Sequence, residues 1–274
     1  MKFNVSIKNN IKNKFIKKKL YYLNKYLLKQ EEKVSYSYRN FKTNDEFSFN
    51  IDICFYAASA IKFLACLYLY EQAEKNANLL NAKLTLNEED FKCGSGVLKN
   101  NKSKKEYTLK ELIYYALKES DNTAYIKLMN YIGADKLKEY GFSLGANHTL
   151  EGKDLFGIVN AYDMKMYLTH LYEYINSNTV LSKELKEYMT NPSYQIIHSK
   201  SIDNNVFIRK YGSFGMAFHE VGIVYDENPY ILIILTQKNE LKEKQKVKYI
   251  NKVAKKINKI HKLLKTQNIN EKEW

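Results

Sequence analysis

The alternation of hydrophobic and polar positions predicts a helix at each end of the chain. Residues 11 to 30 carry a helical stripe of apolar side chains with lysines opposite, and residues 240 to 265 repeat this pattern. Such stripes predict amphipathic helices that pack one face on a core. Segments 33 to 39 and 46 to 51 have period-2 or aromatic character on either side of turn residues 42 to 45, which predicts a β-hairpin.

The middle of the chain is mostly helical, and a β-rich segment follows it. Thr108 with Glu111 three residues later predicts a capped helix through Lys118, and the pattern predicts further helices over 161 to 175 and 182 to 189. Three short apolar segments then predict consecutive antiparallel strands. They are Asn205 to Lys210, Ala217 to Tyr225 and Tyr230 to Gln237.

This order of elements predicts an α+β architecture with two lobes. The first and last helices would cover one face of a sheet, and the central helices would form a second lobe. The predicted domain spans residues 19 to 266, with an α/β lobe over 19 to 56 and 200 to 266 and a helical lobe over 57 to 199. Residues 1 to 18 form a basic N-terminal segment, and residues 267 to 274 form a polar tail.

The charge of the chain is strongly positive but is carried almost entirely by lysine. The formal net charge is +14, and the only arginines are Arg39 and Arg209. Nucleic-acid readers favour the planar arginine fork, so we expect no nucleic-acid partner. The basic terminal helices leave contact with an anionic membrane surface as an alternative, which ordinary solvated faces explain equally well. We expect a monomer.

The cysteine and histidine positions favour neither a metal site nor a cofactor site. Cys54, Cys66 and Cys93 form no CxxC pair, so we expect free and largely buried thiols. The five histidines lack ligand spacing, and no glycine-rich phosphate loop is present. The first thirty residues lack the apolar core of a secretory signal, which predicts a cytoplasmic chain unless the true start lies upstream.

Candidate chemistry begins with Ser59 and Lys62 at the start of an apolar segment. Their spacing places both side chains on one face of a helix. Apolar surroundings lower the pKa of a lysine, so a neutral amine could accept the serine proton. A lysine that extends from a buried helix to solvent is the structural alternative, because about two such spacings are expected by chance.

Two further motifs follow along the chain. Ser120-Asp121-Asn122 comes directly after the apolar helix that ends near Lys118, although all three residue types also favour ordinary helix caps and turns. Lys210-Tyr211-Gly212-Ser213 comes at the predicted end of a strand, where a lysine could bind an anionic group and a glycine permits close backbone approach. An exposed lysine at a strand end is the alternative.

These three motifs in this order resemble the S-x-x-K, S-D-N and K-T-G set of class A β-lactamases and penicillin-binding proteins. The hairpin before Ser59 and the turn at residues 94 to 98 also look like that family. The resemblance covers about residues 20 to 265. It implies a β-lactamase/transpeptidase-like fold with a five-stranded antiparallel sheet, flanked by N- and C-terminal helices, and a helical lobe.

The resemblance also implies a role for each matched residue. Ser59 would attack an amide or β-lactam carbonyl and form an acyl-enzyme, with Lys62 as the base. Ser120 would pass a proton to the departing nitrogen, and Asn122 would hold Lys62 or a substrate amide. Lys210 would bind a carboxylate on a small-molecule or peptide substrate. The backbone N–H groups of Ser59 and Ser213 would form the oxyanion hole.

Two positions depart from the family pattern. Tyr211 stands where the family usually has threonine, so a phenol occupies the expected carboxylate pocket. The family's deacylating glutamate has no clear counterpart, and Glu151 or Asp154 is the candidate substitute, with a solvated loop carboxylate as the alternative. We therefore expect weak deacylation. A D,D-peptidase-like acyl transferase and a non-catalytic binding member of the fold remain the alternative functions.

Overall fold

The computed structural model describes residues 5–8, 11, 13–29, 33–152, 154–237 and 241–270. Its main sheet has six antiparallel strands in the order β1-β3-β2-β10-β9-β8. The ten strands are β1 (Val5–Lys8), β2 (Lys33–Asn40), β3 (Glu46–Phe49), β4 (Phe55–Tyr56), β5 (Lys83–Thr85), β6 (Glu106–Thr108), β7 (Ile158–Val159), β8 (Val206–Phe214), β9 (Ala217–Tyr225) and β10 (Tyr230–Gln237). Two small sheets pair β4 with β7 and β5 with β6.

Eight α-helices surround the sheet in the described part of the chain. They are α1 (Lys14–Leu28), α2 (Lys62–Lys75), α3 (Leu109–Lys118), α4 (Asn122–Ile132), α5 (Ala134–Ser143), α6 (Ala161–Ile175), α7 (Val180–Thr190) and α8 (Glu243–Asn270). Side-chain caps fix several of their starts. Thr108 and Glu111 form a reciprocal capping box at α3, and Asn160 and Asp163 form another at α6.

The sheet joins the two ends of the chain. Strand β2 pairs with β10 along its whole length, from Lys33 opposite Gln237 to Asn40 opposite Tyr230. Strand β8 pairs only with β9 and therefore forms one edge of the sheet. The unpaired side of an edge strand leaves backbone groups free to meet another segment or a ligand.

Each face of the sheet covers its own hydrophobic core. Helices α1 and α8 pack on one face, where Leu20, Tyr36 and Ile257 belong to one buried cluster. The central helices pack on the other face, where Phe63, Leu112 and Ile233 belong to a second cluster. Alternate side chains of a strand point to opposite faces, so a single sheet can support both cores.

The predicted α+β, β-lactamase-like fold is confirmed, with two differences in detail. The sheet contains the five expected strands, and Val5–Lys8 adds a sixth beside β3. The third motif does not end a strand as predicted, because β8 continues through it to Phe214, opposite Ala217. The turn follows at Gly215, whose φ of +55° suits glycine. No helix in the described residues is long and apolar enough to cross a membrane.

Candidate active site

Ser59 lies on a short 3₁₀ helix, Ala58–Ile61, that leads directly into α2. Ala58 before it has φ +48°, a conformation that L-residues rarely adopt outside strained turns. Strand β8 approaches this turn at Gly212, where a Cβ would lie 2.8 Å from both Ala57 O and Ala60 N. The glycine therefore allows the edge strand and the turn to meet beside Ser59.

Lys62 is fully buried one turn after Ser59. Its Nζ donates to Ser120 O at 2.5 Å and to Asn122 Oδ1 at 2.8 Å. Burial lowers its pKa well below the usual value, and the charge of Lys210 lowers the pKa further. Both effects favour the neutral amine, which is the form that can accept a proton.

The loop before α4 holds these acceptors in place. Asp121 caps α4 by accepting from Ala124 N at 2.9 Å, and its other oxygen accepts from Leu98 N at 2.8 Å. Asn122 Nδ2 donates to Cys93 O at 3.0 Å. The second motif is therefore both a helix cap and a clamp on the 93–98 segment, so the structural and functional interpretations of these residues are compatible.

Lys210 approaches the same serine from the sheet. Its buried Nζ donates to Ser120 Oγ at 2.7 Å and to Tyr211 O at 3.1 Å. Desolvation by burial lowers the pKa of Lys210 to about 7, although the nearby Glu220 opposes this change. Ser120 thus links the two lysines, through its carbonyl to Lys62 and through its hydroxyl to Lys210.

Tyr211 closes one side of the site. Its phenol oxygen is hydrogen-bonded to Ser95 Oγ at 3.1 Å, so the side chain connects β8 with the helical lobe. Its ring contacts Tyr194 with the centroids 4.8 Å apart, and Lys210 Nζ lies 4.2 Å from the ring centroid. Tyr194 in turn donates to the carboxylate of Glu243. The aromatic pair therefore stands beside the buried ammonium.

Two adjoining cavities open on Ser59, and Ser59, Ser95 and Ser213 line both. The larger has a volume of about 360 Å³ and is also lined by Asn122, Asp154 and Phe156. The smaller, of about 260 Å³, is also lined by Tyr194, Tyr211 and Glu243. Ser59 is only 6% exposed, but it borders both cavities and is open to a small substrate.

The two candidate carboxylates occupy different positions. Glu151 is exposed, and its Oε2 is hydrogen-bonded to His148 Nδ1 at 2.9 Å. It lines neither cavity beside Ser59. Asp154 lines the larger cavity. One of its oxygens accepts from Tyr56 OH at 3.0 Å, and the other accepts from the backbone N–H groups of Phe156 and Gly157. The structure therefore places Asp154, and not Glu151, near the nucleophile.

The structure brings together Ser59, Lys62, Ser120, Asn122 and the Lys210–Ser213 segment of β8, which are distant in sequence. It also adds Phe156, Tyr194 and Glu243, which sequence patterns did not single out, and Cys93, which they marked only as a free thiol. Cys93 is exposed, contrary to the expectation of largely buried thiols, and Cys66 is buried. Within the described ranges, no group of three or more His, Cys, Asp or Glu side chains could hold a metal ion.

Comparisons with known proteins place this geometry in context. A model of the β-lactamase enzyme family matches residues 20–261. The fold is similar to that of PBP-A, with a TM-score of 0.82 at 15% identity, covering 94% of this chain and 99% of PBP-A. A variant of PBP-A, solved as an acyl-enzyme complex with penicillin G, gives a TM-score of 0.79 at 16% identity, with coverages of 90% and 97%.

A β-lactamase from Sphaerobacter thermophilus is similar as well. Its TM-score is 0.74 at 19% identity, and the alignment covers 89% of this chain and 95% of that enzyme. Identities this low establish a shared fold and leave the activity of each chain to be argued from its own site.

Proposed function

Because the chain belongs to the β-lactamase enzyme family, we propose that it is a serine hydrolase that forms an acyl-enzyme on Ser59. The substrate would be a β-lactam or a related amide or ester. The observation that carries this proposal is the position of Lys62. It is fully buried one helical turn from a serine that borders an open cleft, and burial and Lys210 both favour its neutral form.

In the proposed acylation, Ser59 Oγ attacks the carbonyl carbon and its proton passes to neutral Lys62 Nζ. The new carbon–oxygen bond leaves a negative charge on the carbonyl oxygen. The backbone N–H groups of Ser59 and Ser213 would donate to that oxygen. Ser59 Oγ makes no hydrogen bond within the described part of the chain, so Lys62 Nζ must turn from its present acceptors when substrate binds.

Collapse of this intermediate breaks the carbon–nitrogen bond. Ser120 Oγ would give its proton to the departing nitrogen and regain one from Lys210 Nζ, which already donates to it at 2.7 Å. A Lys210 pKa of about 7 suits a group that gives and regains a proton near neutral pH. At the end of these steps Lys62 holds the proton of the nucleophile and Lys210 has given one up, so the leaving group is protonated and the summed charge of the two lysines is unchanged.

The substrate carboxylate expected from the family resemblance remains a proposal. Lys210 is buried and does not line either cavity, so a carboxylate would reach its ammonium only after Tyr211 moves aside. Deacylation would be slow, because Glu151 lines neither cavity beside Ser59 and Asp154 already accepts three hydrogen bonds. The oxygens of Asp154 are therefore already engaged and are less available to hold a water molecule.

Two observations favour other functions. The similarity to PBP-A and the weak deacylation machinery favour a D,D-peptidase-like acyl transferase, which would release an acyl group to an amine rather than to water. The Tyr211–Ser95 hydrogen bond across the cleft favours a non-catalytic member that binds a ligand. Burial lowers the pKa of Lys62 beside Ser59, which favours the enzymatic proposals over the last one, since a binding site needs no such base.

The test is intact-protein mass spectrometry after incubation with a fluorescent penicillin, followed over time. Ser59→Ala is the control for the nucleophile. We expect the wild type to gain the mass of one penicillin and to keep it for many minutes, and the variant to gain none. An adduct that forms and disappears with loss of penicillin would indicate efficient β-lactamase activity. Equal labelling of both proteins would refute Ser59 as the nucleophile.

A further inference from the structure

Helices α1 and α8 carry a concentration of positive charge that the proposed function does not use. Helix α1 has five lysines and no acidic residue in 15 residues. Helix α8 has nine lysines in 28 residues, and its one acidic residue is Glu243 at its start. The chain has 30 acidic residues in total, so their near absence here is more than a general bias toward lysine.

The two helices face each other across a groove of about 210 Å³. Lys19 and Tyr22 line it from α1, Lys256 and Lys259 line it from α8, and apolar side chains complete it. None of these three lysines forms an ion pair with a described residue. By contrast, Lys262 farther along α8 pairs with Asp203. The groove therefore carries three ammonium groups with no ion-pair partner among the described residues; Lys19 and Lys259 are exposed, and Lys256 is half-buried with its Nζ 5.6 Å from the centroid of the Tyr26 ring.

Large apolar side chains stand beside these lysines. Phe15, Tyr21 and Tyr22 are 52%, 59% and 51% exposed, and all lie on α1. Lys19 Nζ lies 5.0 Å from the centroid of the Phe15 ring. Lysines mixed with exposed aromatic rings on one helix are typical of segments that lie at the boundary between lipid headgroups and acyl chains.

We propose that this basic face, formed by the exposed lysines of α1 and α8 with the exposed aromatic residues of α1, binds the surface of an anionic phospholipid bilayer. The ammonium groups would contact headgroup phosphates and carboxylates, and the aromatic rings would enter the interface. The chain would lie on the membrane, since no described helix can span one. Lysine without arginine fits a diffuse lipid surface better than a nucleic acid.

The position of the basic face leaves the catalytic cleft open. Helices α1 and α8 cover one face of the sheet, whereas the turn that carries Ser59 packs with the helical lobe on the other. Glu243 at the start of α8 lines the smaller cavity beside Ser59, but Lys256 lies 13 residues farther along the helix (256 − 243), or about 20 Å. A bilayer bound at the groove lysines would therefore contact the side of the sheet remote from the helical lobe. Membrane binding and acylation of Ser59 would then be independent, and each can be measured without the other.

The experiment is co-sedimentation of the full chain with phosphatidylcholine vesicles that contain or lack phosphatidylserine. The variant replaces the three groove lysines together, Lys19→Gln, Lys256→Gln and Lys259→Gln. The matched control replaces three exposed lysines of the helical lobe, Lys75→Gln, Lys136→Gln and Lys183→Gln, and so removes the same charge. We expect the wild type to bind only the vesicles that contain phosphatidylserine. The groove variant should lose ~100-fold in its partition coefficient for these vesicles, and the partition coefficient of the control variant should change little.

Several results would overturn the proposal. One such result is a wild type that fails to bind anionic vesicles at low salt. Another is an equal loss of binding in the two triple variants, which would mean that net charge alone, and not the groove, determines binding. Binding to a DNA duplex, lost in the groove variant and without binding to vesicles, would assign the face to nucleic acid instead. Phe15→Ser with Tyr22→Ser tests the aromatic contribution, and unchanged affinity in that variant would exclude insertion of the rings.

Discussion

Replacing Tyr211 by threonine tests how this site differs from its family. The phenol oxygen is hydrogen-bonded to Ser95 Oγ at 3.1 Å. The centroid of the Tyr211 ring lies 4.8 Å from the centroid of the Tyr194 ring and 4.2 Å from Lys210 Nζ. Loss of the hydrogen bond costs about 1 kcal/mol, and loss of the aromatic pair and the cation–π contact costs about 1 kcal/mol each at most. We expect Tyr211→Thr to lower the free energy of unfolding by about 2 to 3 kcal/mol.

The same change should accelerate acylation. Removal of the ring opens the smaller cavity toward Lys210, whose pKa of about 7 leaves it partly charged at neutral pH. A hydrogen bond from a charged group contributes about 1.5 to 3 kcal/mol, so a partly charged lysine that reaches a penicillin carboxylate should stabilise the transition state by about 1.4 kcal/mol. That energy corresponds to about a tenfold faster acylation.

The assay is the second-order rate of adduct formation with a fluorescent penicillin, measured beside thermal unfolding. Tyr211→Phe is the matched control, because it keeps the ring and removes only the hydroxyl group. It should lose about 1 kcal/mol of stability and gain little in rate. A folded Tyr211→Thr protein that acylates no faster than the wild type would refute the idea that the ring limits access. So would an equal acceleration in Tyr211→Phe, since the ring would still be present.

Three further predictions follow from the site. Acylation should slow as the pH falls, because protonation of Lys62 removes the base. Lys210→Met should move this decline in rate to higher pH, since loss of the neighbouring charge raises the pKa of Lys62. A pH–rate profile that does not move would contradict the electrostatic coupling of the two lysines. Asp154→Asn should lengthen the lifetime of the adduct, whereas Glu151→Gln should leave it unchanged, and the opposite order would restore Glu151 as the base. Gly212→Ala places a Cβ 2.8 Å from two backbone atoms of the turn before α2, so calorimetry should show a loss of about 1 to 3 kcal/mol in the free energy of unfolding. Unchanged stability would mean that the turn can move away from the new methyl group.

Local sequence patterns predicted the elements of this fold well. The strands Ala217–Tyr225 and Tyr230–Gln237 and the helix Ala161–Ile175 have the predicted bounds. Each is marked by turn residues or a capping box within a few positions of its ends. The prediction ended strand β8 too early, at Lys210, because the strand's last residues are held by pairing with β9 and not by their own hydrophobicity.

Contacts between distant segments were the part of the site that sequence could not supply. The three motifs predicted which residues to examine, but not that Lys62 and Lys210 both bond to Ser120. The contacts of Tyr211 with Tyr194 and Ser95 also depend on how the lobes pack. No local pattern records them. The same is true of the difference between Glu151 and Asp154, since three residues along a loop decide which carboxylate faces the cleft.

The pairing of β2 with β10 has a consequence for how the protein is made. Lys33 and Gln237 are partners in the sheet although 203 residues separate them in the chain. A ribosome that adds about 5 to 20 residues per second leaves the β2–β3 hairpin without this partner for about ten seconds or longer. During that interval β2 exposes an unpaired edge, and the catalytic lysine on β8 has no sheet to hold it. The site of the nascent chain is thus incomplete until β10 has been synthesised, and the β2–β3 hairpin carries an exposed edge for all of that time.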